Sequence, residues 1–439
     1  MTSRNLDLQH RGQINQPVES VAVVGMGYVG LPLAVAFVES GMTVVGFDTD
    51  PDKVHTLQSG RSYIRHIDNA VVAGMNATGR FQPSVDVDAL GGVDAVVICV
   101  PTPLTPHLTP DLTAVLTTAR MVSSRLKPGM LVVLESTTYP ETTERDVRPI
   151  LEAGSGLVAG QDFSLAFSPE REDPGSSNRG VRSVPKVIGG LTTRCTEHAV
   201  ELYKRIVNET VPVSSCRVAE ATKILENVFR AVNIALVNEL KVIYSAMGID
   251  IWEVIDAAKT KPFGFMAFYP GPGLGGHCIP VDPFYLTWKA KEYGRPTRFI
   301  ELAGEINAAM PRYVVERVGV ALNEAGKPFL NARVLILGLA YKKNVDDDRE
   351  SPAYELLHLL EGLGARCEYN DPFIPAIRPG RSHAPWAGRK SVAVTDDFDC
   401  IVLCTDHDDY KSIDFSSFKC PIVDTRRAIS RPPAKYYRA

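Results

Sequence analysis

Val21-Ala22-Val23-Val24-Gly25-Met26-Gly27-Tyr28-Val29-Gly30 reads as a short buried strand running into a glycine turn. Leu31 to Ser40 can form a helix, and a second strand, Thr43 to Phe47, ends at Asp48. Strand, glycine turn, helix, strand and acid in that order predict a mononucleotide-binding βαβ unit. The glycines permit a tight turn, helix N-terminal amides face a pyrophosphate, and the acid accepts hydrogen bonds from both ribose hydroxyls. The expected cofactor is NAD, because a 2′-phosphate would set negative charge against Asp48. Thr49 and Asp50 supply no arginine, and Lys53, the nearest cation, falls on the following helix. A flavin or nucleotide site without hydride transfer is the competing reading of this motif taken alone.

Outward from that unit, Asp94 to Val100 gives a strand entering Pro101-Thr102-Pro103, and Met130 to Glu135 gives one entering Ser136-Thr137-Thr138. Polar or proline-rich loops after strands mark the ligand edge of a parallel sheet. Phe163 to Phe167 and Lys186 to Ile188 continue it. From Val218 the apolar period becomes helical through Ala221, Leu225, Val228, Val232, Ala235, Leu236 and Ile243, until Gly248 offers a stop. About thirty residues at 1.5 Å each span roughly 45 Å, so this helix reads as a spine joining domains. Lys261 to Pro283, rich in Gly and Pro, is a shaped loop, and Pro296 to Leu322 is again helical. Arg333 to Leu337 then runs into Gly338 and opens a second α/β pattern, with strands at Ala365 to Tyr369, Cys400 to Cys404 and Pro421 to Val423. The expected fold is α/β, with two Rossmann-like domains joined by a helical middle domain built on a long central helix. The second lobe carries Gly338-Leu339-Ala340-Tyr341-Lys342 where the first has its triple-glycine turn, which leaves open a nucleotide other than a dinucleotide.

Composition narrows the function. With 47 Lys and Arg against 51 Asp and Glu among 439 residues, the net charge of -4 gives no basic balance for nucleic-acid binding, and 45% hydrophobic residues exclude general disorder. The longest apolar runs, such as Leu131 to Leu134, are strand-sized, so no membrane insertion is expected. Met1 to Ser20 is polar and reads as a loose tail. Eight dispersed cysteines without a paired zinc-ligand pattern predict reduced thiols, a cytoplasmic setting and no metal.

One thiol stands out. Cys278 sits in Gly271-Pro272-Gly273-Leu274-Gly275-Gly276-His277-Cys278-Ile279-Pro280-Val281-Asp282, where glycines let a substrate carbon approach and His277 or a nearby cation can stabilise a thiolate. Lys223 and Asn227 are four residues apart on the spine and project from one face, able to donate to one developing oxyanion. The plainer alternative is a solvated pair, with Lys223 partnering Glu220 or Glu226. Glu170, in Ser168-Pro169-Glu170-Arg171, follows a strand, although Glu172 and Asp173 also suit a charged surface turn. Lys342 and Lys343, followed by Asn344 to Pro352, suggest phosphate or interdomain contact against the alternative of a solvated charge run.

Together these stretches resemble the UDP-glucose/GDP-mannose dehydrogenase family from Val21 to Arg427. The resemblance rests on the Gly25 to Gly30 turn, Ser136-Thr137-Thr138, Ser168-Pro169-Glu170, Ala219-Glu220 with Lys223 and Asn227, Gly275-Gly276-His277-Cys278 with Asp282, and Tyr341-Lys342 with Arg349-Glu350-Ser351-Pro352. Lys261 to Gly273 and Val281 to Tyr285 look most like bacterial members that oxidise UDP-N-acetylglucosamine at C6. The resemblance implies a four-electron oxidation of C6 to a carboxylate with two NAD consumed, for a surface-polysaccharide precursor such as that of lipopolysaccharide. It implies that Cys278 traps the aldehyde as a thiohemiacetal and carries a thioester. Lys223 and Asn227 would stabilise oxygen charge, Asp282 would orient water and assist proton transfer, Glu170 would assist hydrolysis and Thr137 would position water. For the cofactor it implies Gly25, Gly27, Tyr28, Val29, Gly30, Asp48, Lys53, Pro101, Thr102, Ser136, Thr137 and Arg349. For the substrate it implies Glu170, Arg171, Lys223, Asn227, Phe268, Tyr269, Gly273, Gly275, Tyr341 and Lys342.

The implied division is a tail over 1–20, an NAD-binding domain over 21–215, a helical middle and dimerisation domain with the catalytic loop over 216–325, and a UDP-sugar-binding domain over 326–439. The implied assembly is a homodimer, with a dimer of dimers as the alternative. Two departures bear on the sugar: Pro174 stands where relatives acting on UDP-glucose have a second glutamate, and Lys261 to Tyr269 contains no arginine. UDP-N-acetylmannosamine, UDP-N-acetylgalactosamine and UDP-glucose are the alternative substrates, and a noncatalytic nucleotide-sugar-binding protein is the alternative of a different class.

Overall fold

The computed structural model describes residues 17–65, 67–105, 107–171, 180–276, 279–380 and 383–439. The first βαβ unit forms as its pattern requires. β1 (Ser20–Val24) leads through the glycine turn into α1 (Gly30–Glu39), and β2 (Thr43–Phe47) pairs parallel to β1 with Val21 opposite Val44. Side chains alternate across a strand, and Val21 and Val23 enter one core while Ala22 and Val24 enter another. A strand must be apolar throughout when both faces of its sheet are covered.

Helices α2 (Pro51–Gln58), α3 (Asn69–Ala77), α4 (Thr113–Ser123), α5 (Arg148–Ser155) and α6 (Thr193–Tyr203) complete that cover. Residues of α1, α3 and α6 fill one core, and residues of α4 and α5 fill the other. The strands are β3 (Phe81–Ser84), β4 (Ala95–Ile98), β5 (Leu131–Leu134), β6 (Ser164–Phe167), β7 (Lys186–Gly190) and β8 (Thr210–Val213), in the order β3-β2-β1-β4-β5-β6-β7-β8. The order reverses between β1 and β4, so a crevice opens at their carboxyl ends, where doubly wound sheets bind ligands. The sheet is not wholly parallel: β7 runs antiparallel to β6. β3 and β8, which the sequence pattern did not reveal, each contain a proline, Pro83 or Pro212, and lie at the two sheet edges where a missing N–H is tolerated. At the N-terminus Val18 is already buried and Ser20 already belongs to β1. Residues 1–16 of the expected tail lie outside the described residues.

The spine is one helix, α7 (Cys216–Ala246), of 31 residues. The chain divides into two compact units, Met1–Glu226 with Trp288–Gly294, and Asn227–Thr287 with Arg295–Ala439, so α7 begins in one and ends in the other. The second unit holds α8 (Ile251–Ala258), the start of α9 (Asp282–Glu292), α10 (Arg298–Glu324) and α11 (Pro352–Gly362). Its parallel sheet has the order β10-β9-β11-β12-β13 from β9 (Arg333–Leu337), β10 (Arg366–Asn370), β11 (Cys400–Leu403), β12 (Ile422–Asp424) and β13 (Tyr436–Arg438). β13 is a further edge strand absent from the sequence reading. Among the described residues no helix is long and apolar enough to cross a membrane.

Candidate active site

The glycine turn shows what it could hold. Gly25 has φ +97°, and a Cβ there would lie 2.6 Å from the Cys99 carbonyl oxygen. A Cβ at Gly30 would lie 1.9 Å from the Gly25 carbonyl oxygen, which forces a bare residue where α1 packs on the turn. At Gly27 a Cβ would meet nothing within 4 Å, so this glycine faces open space. No side chain caps the α1 N-terminus. Open space before uncapped helix amides suits a pyrophosphate.

Asp48 is buried at the end of β2 and accepts from Met26 N (2.9 Å) on Oδ2 and from Asp50 N (3.0 Å) on Oδ1. Lys53 is on α2, as expected, yet its Nζ turns back to 3.3 Å from Asp48 Oδ2. The loops after β4 and β5 are laced together. Thr102 Oγ1 donates to the Thr137 carbonyl (2.8 Å) and Ser136 Oγ to the Val100 carbonyl (2.7 Å). The residues present therefore fit NAD.

Farther along the same sheet edge, the Lys223 ammonium donates to the Glu170 backbone carbonyl. Lys223 is 6% exposed, so the reading of a solvated helix pair fails. Its two suggested partners are engaged elsewhere. Glu226 Oε1 lies 2.7 Å from Arg171 NH2, and the fully buried Glu220 accepts from Glu141 N (2.6 Å), Thr143 N (2.9 Å) and Thr143 Oγ1 (2.7 Å). Burial pushes the Glu220 carboxyl up to about 7 against those hydrogen bonds. Glu220 thereby pins the loop that follows Ser136-Thr137-Thr138. Arg171 NH1 also donates to the Pro185 carbonyl at 2.7 Å. Glu135, Lys186 and Tyr203 form a buried group beside Glu170 that the sequence did not single out.

In the second unit, Asn227 donates through Nδ2 to Asp282 Oδ2 and accepts from Arg230 through Oδ1. Asn227 and Asp282 are both buried, and Asp282 is the first residue of α9. Arg230, on the next turn of α7, was missed because it matches no motif. The glycine loop rests on Tyr341: a Cβ at Gly275 would lie 2.7 Å from Tyr341 Cβ, and one at Gly276 2.7 Å from its Cε2. Gly276 N donates to the Arg349 carbonyl at 3.2 Å, and a Cβ at Gly273 would lie 3.2 Å from Pro352. The loop, Tyr341 and the Arg349 to Pro352 segment are thus one packed feature. Phe268 packs edge-on against Phe229 at 5.7 Å, and the Tyr269 hydroxyl donates to Asp256 Oδ1 at 2.9 Å.

Arg349 is held by Asp347 through Nε (2.9 Å) and NH2 (2.6 Å), and Lys343 lies 2.7 Å from Asp408. In the second lobe Asp371 accepts from Leu339 N and Ala340 N at 2.7 and 2.9 Å. Asp371, just after β10, thus holds the turn amides of the second lobe as Asp48, just after β2, holds Met26 N in the first. Cys278 and His277 lie outside the described residues, as does Pro174. Of the other thiols, Cys195, Cys216, Cys367, Cys400, Cys404 and Cys420 are buried, and burial pushes Cys404 up to about 11 and Cys367 to about 12. Buried thiols of that kind are poor nucleophiles.

The first unit has the fold and the cradle of an NAD-dependent dehydrogenase. The chain belongs to the UDP-glucose/GDP-mannose dehydrogenase family, whose NAD binding domain matches residues 19–207, central domain 217–309 and UDP binding domain 335–431. It is therefore an NAD-dependent oxidoreductase of nucleotide sugars. It is 39% identical over 357 residues to a UDP-N-acetyl-D-glucosamine 6-dehydrogenase of Pseudomonas aeruginosa, covering 81% of this chain and 83% of that one. It is 35% identical to an NDP-N-acetyl-D-galactosaminuronic acid dehydrogenase of Ralstonia nicotianae, over 93% and 95% of the two chains. The structure of a UDP-D-ManNAc dehydrogenase from Pyrococcus horikoshii superposes with a TM-score of 0.85 at 31% identity, over 95% and 98%.

Proposed function

We propose that the enzyme oxidises the C6 hydroxymethyl of UDP-N-acetyl-D-glucosamine to UDP-N-acetyl-D-glucosaminuronic acid, a precursor for bacterial surface polysaccharide. NAD accepts one hydride in each of two oxidations. Lys223 and Asn227 stabilise charge on the reacting oxygen, and Asp282 orients water and takes part in proton transfer. Cys278 adds to the aldehyde carbon, and the resulting thiohemiacetal is oxidised to a thioester. Water then opens the thioester with Glu170 receiving its proton. The observation that supports this chemistry is the hydrogen bond from the buried Lys223 ammonium to the Glu170 backbone carbonyl, which brings the proposed oxyanion donor to the residue proposed for hydrolysis. The sugar assignment is supported by the likeness at 39% identity to a dehydrogenase of that substrate. The Pyrococcus structure supports the mannosamine epimer as the second reading.

Cofactor binding is assigned to 21–215, the helical middle to 216–325 and UDP to 326–439. Val218, Leu225, Phe229, Leu236 and Ile243 are exposed along α7 at spacings of seven and four, one apolar stripe suited to a homodimer. Catalytic efficiency with four UDP sugars tests the substrate. UDP-N-acetylglucosamine should lead, and a preference for the mannosamine epimer would transfer the assignment to the second reading.

A further inference from the structure

Lys186 has no part in the chemistry assigned above, yet it is a buried cation among carboxylates. It opens β7, and because β7 is antiparallel to β6, with Phe167 opposite Gly189, its first residue returns to the edge where β6 delivers Glu170. A parallel β7 would have carried Lys186 to the other edge. Its Nζ lies 2.9 Å from Glu135 Oε2 and 3.8 Å from Glu170 Oε2. Tyr203 donates its hydroxyl to Glu135 Oε1 and presents its ring 5.1 Å from the ammonium.

Burying a lysine beside two acids is a poor way to gain stability, since desolvation offsets most of the attraction. Burial opposes the ammonium here, and Glu135 and Glu170 more than restore it, so Lys186 stays charged. Glu135, buried after β5, is its nearest carboxylate; burial pushes that carboxyl up while Lys186 and the Tyr203 hydroxyl pull it back. The 3.8 Å approach to Glu170 is longer than a hydrogen bond. The lysine therefore attracts that carboxylate without competing at hydrogen-bond distance for the lone pair that must accept a proton.

We propose that Lys186, seated against Glu135, is the positioning residue of the hydrolytic carboxylate, fixing the Glu170 side chain while Lys223 fixes the same residue's backbone carbonyl. This rests on the reading of Glu170 given above. In the step concerned, water adds to the thioester carbon and its proton passes to Glu170. The C–S bond then breaks, and the sulfur leaves with that proton. No oxidant or reductant enters.

The test mixes full-length enzyme rapidly with NAD and UDP-N-acetylglucosamine, following NADH and quenching for covalent acyl-enzyme. Lys186→Met alone leaves Glu135 buried without its cation, held only by the Tyr203 hydroxyl, so the informative variant is Lys186→Met with Glu135→Gln, which removes both charges. It should give a normal burst of two NADH per subunit, accumulate acyl-enzyme and turn over roughly 10- to 100-fold more slowly, with both KM values nearly unchanged. Lys186→Arg should recover most of the turnover. Glu170→Gln is the reference. If it fails to accumulate acyl-enzyme, the Glu170 reading itself falls. If it does accumulate while the double variant hydrolyses normally, or if the double variant loses burst and binding together, the role proposed for Lys186 is overturned.

Discussion

Replacing Asp48 with Ala tests cofactor recognition independently of the sugar. Asp48 now holds the Met26 and Asp50 amides, and Lys53 leans on its Oδ2 from 3.3 Å. When the ribose binds, its two hydroxyls compete for the same two carboxylate oxygens. A hydrogen bond to a charged acceptor is worth about 1.5–3 kcal/mol net. Losing one in full and part of a second costs about 2–3 kcal/mol, a fall of roughly 30- to 150-fold in kcat/KM for NAD. NADP should not suffer this loss, because the substitution removes the charge that repels its 2′-phosphate. It also releases Lys53, whose side chain is 38% exposed and so contributes no more than about 1 kcal/mol. The NAD-to-NADP preference should therefore fall by roughly 100-fold. Initial rates of reduced-cofactor formation at saturating UDP sugar measure both efficiencies. A companion Asp48→Ala, Lys53→Ala variant should lose whatever NADP gained. An unchanged preference in Asp48→Ala would refute the placement of the ribose.

Lys241, buried between the Trp252 and Tyr313 rings at 5.4 and 5.7 Å, has its ammonium pushed down to about 7 by burial and by Arg426. The unfolded chain binds that proton up to a pH near 10.4, so this residue's contribution to stability is complete above that value and lost as pH falls through about 7. The ceiling on that cost is about 4 kcal/mol at pH 7, of which the rings return about 1–2 kcal/mol. Lys241→Met should raise the denaturant midpoint at pH 7 by the equivalent of about 2–3 kcal/mol and change it little near pH 10; equal midpoints at pH 7 would contradict this. Gly276→Ala puts a methyl 2.7 Å from the Tyr341 ring at φ +80°, and should abolish most acid formation while NAD affinity persists. Weakened NAD binding by calorimetry would show wider damage. Leu236→Glu with Ile243→Glu should convert a dimer to monomer in solution mass measurements, and an unaltered mass would remove the α7 stripe as the interface.

The fold was legible where both faces of a strand are covered. β1, β4 and β5 are continuous apolar runs, and α7 announces itself by period. The edge strands β3 and β8 were not, since Pro83 and Pro212 read as breakers and only the sheet's limits tolerate them. The same contrast holds in the site. Asp48, Lys223, Asn227 and Asp282 stand in short local patterns, and the structure buries all four. The Lys186–Glu135 pair joins positions 51 residues apart, and its location depends on β7 turning antiparallel, which no local pattern encodes. Likewise, Lys53 is on its expected helix, but only the fold brings its ammonium to Asp48.

The central claim is a four-electron oxidation carried on one thiol. Glu170→Gln enzyme, mixed with NAD and UDP-N-acetylglucosamine, quenched rapidly and mapped by peptide mass, should hold a sugar acyl group on Cys278, whereas Cys278→Ser should hold none and form almost no acid. Unaltered enzyme in the same assay should yield about two NADH per uronic acid. A free aldehyde accumulating at one NADH each, near-normal acid from Cys278→Ser, or an acyl group mapped to another cysteine would contradict it.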